Sequence, residues 1–177
     1  TPPGVGMEFS HHYADVRPVE DYADRRVLVI GKQNSGFELA TRLVQWASPI
    51  SLSSPSPANT SIETRSLVGV RARYVQPFED SILGGGVDIL SASTKGIVRT
   101  ESGAFEVQLE RSDNAMPMTV EADEVIAATG FICPLRDLAA RGVATFGQSK
   151  LPAQTEFWES ASVPGIYFAG TITQGSA

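Results

Sequence analysis

An apolar run, a glycine turn, an amphipathic stretch and a second apolar run follow one another between residues 25 and 53. Residues 27–30 are continuously apolar and end at Gly31, which predicts a strand buried on both faces, as in a parallel sheet. From Ser35 the apolar positions recur with helical period, which predicts an amphipathic helix ending near Pro49. Residues 50–53 predict a second strand. The result is a β–turn–α–β unit of the length that a parallel crossover requires.

The rest of the chain has mostly strand periodicity. Residues 87–90, 96–99, 105–109 and 116–120 predict strands, and the last three alternate between turn residues, as in an antiparallel meander. Residues 122–128 return to a buried strand pattern, and residues 165–170 predict a final strand. Between them, residues 54–64 are rich in Ser and Pro, and residues 66–80 are expected to be partly helical. This order predicts an α/β fold: a Rossmann-like parallel sheet with an antiparallel β-meander insertion.

Composition and charge narrow the function classes. The 177 residues are 42% hydrophobic and 19% charged, which suits a globular domain with a substantial core. The net charge of −6 argues against nucleic-acid binding but allows a small anion at a helix N-terminus. No apolar run reaches the roughly 18 residues of a membrane span, and no secretory signal is visible. We therefore expect a soluble, cytoplasmic protein.

Cysteine and histidine content restricts the chemistry further. Cys133 is the only cysteine, so this chain can form neither an internal disulfide nor a redox-active CxxC pair. It is expected to pack as a small hydrophobe. His11 and His12 lack further ligands at a suitable spacing, so no metal site is predicted. No residue has the pattern of a nucleophile or an acid–base pair, and we assign no catalytic residue.

The turn GKQNSG at residues 31–36 lies between the first strand and the helix, where a glycine turn binds a dinucleotide pyrophosphate. Gly31 permits the tight turn, and Gly36 permits close packing of helix and strand. Gln33 replaces the middle glycine of GxGxxG, so its side chain either contacts the ligand or points away from it. Phe37 stands where a P-loop has lysine, which excludes a P-loop. The alternative is an ordinary strand-to-helix turn.

The end of the second strand favours NADP over NAD. NAD sites place a carboxylate there to accept the ribose hydroxyls, whereas this chain has Ser53, Ser54 and Ser56 and no acid before Glu63. Hydroxyls can donate to a 2′-phosphate that a carboxylate would repel. The nearest arginines are further along the chain, at positions 65, 71 and 73.

Three tracts carry a family resemblance: VLVIGKQNSG at 27–36, DEVIAATGF at 123–131 and PGIYFAG at 164–170. Their order and spacing resemble those of flavoproteins with two dinucleotide-binding domains, such as flavin-containing monooxygenases and the wider pyridine nucleotide-disulfide oxidoreductase superfamily. The resemblance implies that the glycine turn binds NADP(H), with NAD as the alternative, and that FAD is bound by the full-length protein. This chain departs from the family pattern at two points. Thr171 stands where many members have Asp, and the amino-terminal FAD-binding GxGxxG that members usually carry does not occur in these 177 residues.

The resemblance also implies an organisation and a set of cofactor-binding residues. Residues 1–24 would be a connecting segment, and 25–135 a nicotinamide dinucleotide-binding domain with its meander at about 95–121. Residues 136–177 would return toward an FAD-binding domain outside this chain. The candidate cofactor-binding residues are Gly31, Gln33, Asn34, Ser35, Gly36, Ser53, Ser54, Thr129, Gly130, Gly170 and Thr171.

The implied function is the NAD(P)H-binding portion of an FAD-dependent oxidoreductase that passes hydride from NADPH to flavin, with monooxygenation as one outcome. One alternative is a nucleotide-binding or interaction module without turnover. Another is a flavin-dependent reductase that serves a protein electron acceptor. The substrate stays open, no nucleic-acid or membrane partner is expected, and Phe131, Phe157 and Trp158 are candidates for a self-associating surface. Gly31→Val is expected to abolish dinucleotide binding without unfolding the domain.

Overall fold

The computed structural model of the chain describes residues 4–56, 86–130, 135–146 and 151–170. These residues belong to two compact units, Thr1–Gly130 and Phe131–Ala177. Several sequence predictions lie outside the described ranges: the partial helix at 66–80, the arginines at 65, 71 and 73, and residues Phe131, Cys133 and Thr171.

The described residues of the first unit form a seven-stranded sheet in the order β1-β7-β2-β3-β4-β5-β6. Strands β1, β7, β2, β3 and the first part of β4 run parallel, and β4, β5 and β6 form an antiparallel meander. The fold class predicted from the sequence is thus confirmed. The strands are β1 (His11–His12), β2 (Val27–Ile30), β3 (Ile50–Ser54), β4 (Val87–Arg99), β5 (Phe105–Arg111), β6 (Pro117–Ala122) and β7 (Glu124–Ala127).

The central strands are buried on both faces, as their continuous apolar runs predict. All four residues of β2 and all four of β7 are buried. Val27 and Val29 belong to one core cluster with helix α1 (Asn34–Leu43), and Leu28 and Ile30 belong to a second cluster with the meander. Because side chains alternate along a strand, the helix covers one face of the sheet and the meander covers the other.

Helix α1 (Asn34–Leu43) connects β2 to β3 and is shorter than the amphipathic pattern predicts. Phe37, Leu39, Ala40 and Leu43 are buried against the sheet, so the predicted apolar face is confirmed. The chain leaves the helix through a turn before β3 begins. Ala47 is buried in the same cluster without being helical, because burial requires only that the side chain reach the core.

Strand β4 is one continuous strand of 13 residues, where the sequence predicts two. Its first part pairs parallel with β3 as far as Ser91, and its second part pairs antiparallel with β5 from Ala92 onward. The register shifts between Thr94 and Gly96. The polar middle of β4 has no apolar alternation to predict a strand, but hydrogen bonds to successive neighbours hold it extended.

The amino-terminal residues, expected as a connecting segment, contribute to the first unit. Strand β1 pairs parallel with β7, and Tyr22 is buried in the core cluster below α1. Arg17 and Glu124 form an ion pair of 2.6 Å beside them. Two histidines and scattered polar residues give no strand periodicity, so only the edge of β7 makes this segment extended.

The second unit has little regular structure among its described residues. It contains the helical turn α2 (Arg136–Ala139), β8 (Thr145–Phe146) and β9 (Leu151–Pro152). The strand predicted for residues 165–170 is wrong: only Tyr167 forms a bridge, to Glu159. Gly165 and Gly170 both have φ of +82°, a conformation that ends an extended run.

Candidate functional site

A cavity of about 530 Å³ opens at the carboxyl ends of the parallel strands β2, β3 and β7. In an open α/β sheet, ligands bind at this edge of the strands. Eight of the predicted cofactor-binding residues line the cavity, together with Ile30, Lys32, Pro55, Ser93, Thr94 and Ala128. The eight are Gly31, Gln33, Asn34, Ser35, Ser53, Ser54, Thr129 and Gly130.

Gly31 forms the tight turn after β2, and its conformation excludes a side chain. Its φ is +119°, and a Cβ added to it would overlap the carbonyl oxygen of Ala128 in the segment after β7. Its N–H donates a 2.7 Å hydrogen bond to the carbonyl of Ser53. We therefore expect Gly31→Val to destabilise the fold, whereas the sequence alone predicts a folded domain that has lost dinucleotide binding.

Gly36 has the packing role that its position in the motif predicts. It is buried in the first turn of α1, and a Cβ there would overlap the carbonyl oxygen of Gly31. The side chain of Leu52 in β3 would lie 3.4 Å from the same Cβ. Gly36 does not line the cavity among the described residues; it allows the helix to begin directly above the turn.

Gln33 is the N-cap of α1 and is exposed at the rim of the cavity. Its φ of −114° is open to any residue, so the turn does not need glycine at this position. Gln33 makes no side-chain capping hydrogen bond. The first backbone N–H groups of an α-helix have no intrahelical partner, and an anion in the cavity is suited to accept from them.

Lys32 is a cavity residue that the sequence reasoning missed. It is only 1% exposed, and its Nζ donates to the carbonyl oxygen of Leu90 at 3.0 Å and the hydroxyl of Ser91 at 2.9 Å. Burial lowers the pKa of the Lys32 ammonium, because the charged form is less well solvated there. The spacing of the glycine motif gave no signal for this residue, since its acceptors come from β4.

The two serines at the end of β3 have different environments. Ser53 is fully buried and its hydroxyl donates to the carbonyl of Ala92 at 2.9 Å, so its one hydroxyl hydrogen is already used. Ser54 is partly exposed, and its hydroxyl donates weakly to the carbonyl of Ser56 at 3.3 Å. Of the two, only Ser54 can turn its hydroxyl toward a ligand without breaking a buried hydrogen bond.

The residues predicted near a flavin are divided between the two units. Thr129 and Gly130 follow β7, are exposed and line the cavity. Gly170 belongs to the second unit and is not a lining residue of the cavity. The structure thus brings the Thr129-Gly130 tract to the glycine turn.

Charged side chains cluster around the start of β7 rather than in the cavity. Glu124 lies within 2.6 to 3.6 Å of Arg17, His11 and Arg25. Arg26 makes a bidentate pair with Asp123, and its guanidinium lowers the pKa of that carboxyl. Across the described ranges, no three His, Cys, Asp or Glu side chains are grouped to hold a metal ion. Helices long and apolar enough to cross a membrane are likewise absent from those ranges.

A strand, a glycine turn and a helix N-terminus at the carboxyl edge of a parallel sheet define a Rossmann-like nucleotide-binding domain. Residues 2–170 match the model of the pyridine nucleotide-disulphide oxidoreductase family, and the chain belongs to that family.

Relatives of this chain include reductases. Over 175 residues it is 26% identical to a ferredoxin–NADP reductase from Nitrobacter hamburgensis, covering 97% of this chain and 47% of that protein. The bacillithiol disulfide reductase Bdr from Bacillus cereus has a similar fold (TM-score 0.74, 22% identity, 97% of this chain and 49% of that one). The thioredoxin reductase from T. acidophilum is also similar (TM-score 0.74, 21% identity, 98% and 54%). The chain thus spans about half the length of these proteins.

Proposed function

We propose that the cavity binds NADP(H), and that the chain is the nicotinamide dinucleotide-binding portion of an FAD-dependent reductase. The observation that carries this proposal is the position of α1. Its N-terminus has no capping side chain at Gln33 and begins at a turn that lines the cavity, in a member of the pyridine nucleotide-disulphide oxidoreductase family. The first turn of such a helix favours phosphate through its dipole and its backbone N–H groups.

The residues that line the cavity are suited to binding a dinucleotide rather than to acid–base catalysis. The cavity wall supplies backbone groups, hydroxyls and one ammonium, and among the described lining residues none is a carboxylate, imidazole or thiol. When bound, NADPH supplies hydride and flavin accepts it. The task of this chain is to hold the pyrophosphate at the glycine turn and to orient the dinucleotide, with Thr129 and Gly130 forming the adjacent wall.

Reduction of an acceptor is better supported than monooxygenation. The relatives named above are a ferredoxin–NADP reductase, a disulfide reductase and a thioredoxin reductase. Cys133 is the single cysteine, so a redox-active cysteine pair cannot come from this chain. A flavin-dependent reductase that serves a protein electron acceptor therefore becomes the preferred form of the proposal, and location in the cytoplasm stays a prediction.

Titration with nucleotides tests the proposal directly. We expect the 177-residue chain to bind NADPH with a stoichiometry of one in calorimetry, and to purify without the flavin absorbance near about 450 nm. The described residues offer one strand–turn–helix phosphate site, which we assign to the nicotinamide nucleotide. The proposal would be contradicted if titration with NADPH produced no binding heat at any concentration. Stoichiometric flavin absorbance would reassign the glycine turn to FAD.

We also propose that exposed aromatic residues of the second unit promote self-association. Phe157 is 71% exposed and Trp158 is 56% exposed, adjacent in one turn. Two neighbouring aromatic side chains in water form the kind of apolar patch that a second protein surface covers. Sedimentation velocity of Phe157→Ser should show less self-association than wild type. The same change at Met116, which is 59% exposed in the first unit, is the control.

A further inference from the structure

The side chain of Lys32 crosses the carboxyl edge of the sheet from the glycine turn to β4. Its two acceptors, the carbonyl of Leu90 and the hydroxyl of Ser91, belong to residues paired with Ser53 and Ser54 at the end of β3. The ammonium therefore lies beside the strand end that selects between NAD and NADP in Rossmann-like domains. Residues 50–56, which form β3 and the chain just after it, include no arginine.

The ammonium has neutral partners only, as far as the described residues extend. Lys32 is the one charged residue in the described cavity wall, and none of the ion pairs among described residues involves it. Neutral acceptors compensate only in part for removing a cation from water. A buried ammonium without a counter-charge makes its surroundings favourable for an anion, and the effect is larger than at an exposed site because screening is weaker.

We infer that Lys32 is the residue that selects NADPH over NADH, by supplying the positive charge for the 2′-phosphate at the end of β3. The inference rests on the proposed function and adds a specificity determinant at a position of the turn that the glycine spacing does not specify. The burial of Lys32 means that its charge acts across the cavity wall beside Ser54, whose partly exposed hydroxyl is placed to donate to the same phosphate.

The test compares Lys32→Met with Lys95→Met, using NADPH, NADH, ADP and adenosine 2′,5′-bisphosphate as probes. Methionine keeps the length of the side chain and removes its charge. We expect Lys32→Met to lower the ratio of NADPH to NADH affinity by about tenfold, mostly through weaker NADPH binding. Lys95 is half-exposed, pairs with Glu110 at 2.8 Å and lies outside the cavity wall, so its variant should keep the wild-type ratio.

The probes separate failure of this inference from failure of the proposed function. An unchanged ratio in folded Lys32→Met would overturn the inference and leave NADP(H) binding intact. An equal loss for NADPH and NADH would also overturn it, because the charge would then serve the shared pyrophosphate. If wild type binds neither NADPH nor NADH, the proposed function fails and the inference fails with it, whichever of the other two probes binds.

If Lys32→Met does not fold, the pH dependence of nucleotide binding by wild type tests the inference instead. The preference for NADPH should fall as the pH rises toward the usual pKa of lysine, about 10.4, because burial lowers the pKa of the Lys32 ammonium and its charge is lost below that value. The 2′-phosphate is already fully ionised there. The other charged groups on the elements packed nearby are Asp88 and Lys95 of β4 and Glu38 and Arg42 of α1, and Lys95 is paired with Glu110. A preference for NADPH that stays constant as the pH rises to the usual lysine pKa would overturn the inference.

Discussion

The hydroxyl of Ser53 donates a 2.9 Å hydrogen bond to the carbonyl oxygen of Ala92, which lies where β4 leaves β3 and begins to pair with β5. Both residues are buried. The bond joins the parallel part of the sheet to the first residue of β4 that pairs within the meander. It also leaves Ser54 as the serine of this strand end that can reach a ligand.

Ser54→Asp should therefore narrow or reverse the preference for NADPH over NADH. A carboxylate at this position repels a 2′-phosphate and accepts hydrogen bonds from the ribose hydroxyls of NAD. Charge-assisted hydrogen bonds contribute about 1.5–3 kcal/mol, or roughly tenfold to a hundredfold in affinity. Calorimetric titration with both nucleotides measures the ratio. Ser56→Asp is the matched control because Ser56 is exposed and is not among the lining residues; an equal change there would mean that charge alone, rather than position, alters the preference.

Gly31→Ala should destabilise the domain much more than Gly103→Ala. Both glycines have positive φ, so alanine strains the backbone at either site by roughly 1–2 kcal/mol. A Cβ at Gly103 meets nothing within 4 Å, whereas a Cβ at Gly31 overlaps the backbone of Ala128. Urea denaturation should separate the two variants by more than about 2 kcal/mol, or find Gly31→Ala unfolded. Equal midpoints would show that the turn can move away from the segment after β7.

Gln33→Gly should keep the fold and raise the affinity for NADPH by less than about tenfold. Glycine at an N-cap costs only a few tenths of a kcal/mol, and Gln33 has no capping bond to lose. A smaller residue lets the backbone approach the pyrophosphate more closely. The same titration tests the alternative that the chain is an interaction module without turnover. If Gln33→Gly binds NADPH and wild type does not, the Gln33 side chain blocks the site.

Asp123 should contribute stability that depends on pH. Its side-chain hydrogen bonds from Arg26, and a 2.9 Å bond from the backbone N–H of Arg26, lower its pKa in the folded state. Because the folded-state pKa is depressed, this stability is present above the unfolded pKa of about 3.9 and is lost as the pH falls through the folded-state value.

Asp123→Asn should lower the free energy of unfolding by about 1–3 kcal/mol at neutral pH. The difference from wild type should shrink progressively below about pH 4. Thermal denaturation between about pH 2 and pH 7 measures it. Asp113→Asn, which breaks the exposed pair with Arg111, should show a much smaller pH-dependent difference, because water screens this pair although Arg111 also lowers the pKa of Asp113. A constant difference across the whole range would contradict the assignment of the stabilisation to the Asp123 carboxylate.

Local patterns in the sequence determined the central part of this domain. The apolar run of β2, the amphipathic face of α1 and the glycine spacing each depend on neighbours within a few residues, and all three occur in the structure. A strand–turn–helix unit brings its own ends together, so the predicted residues at 31 and 33–35 share one cavity. The packing role of Gly36 could also be predicted, because its neighbour Gly31 belongs to the same strand–turn–helix unit.

Tertiary structure decided what depends on distant partners. Strand β1 forms only because β7 offers a parallel edge, and β4 is continuous only because β3 and β5 hold successive parts of it. The predicted strand at 165–170 lacks such partners beyond a single bridge among the described residues. Lys32 is buried because Leu90 and Ser91, far along the chain, accept from its ammonium. Hydrogen bonds between remote segments leave no periodicity in the sequence, and for that reason the charge in the cavity wall could be found only in the folded chain.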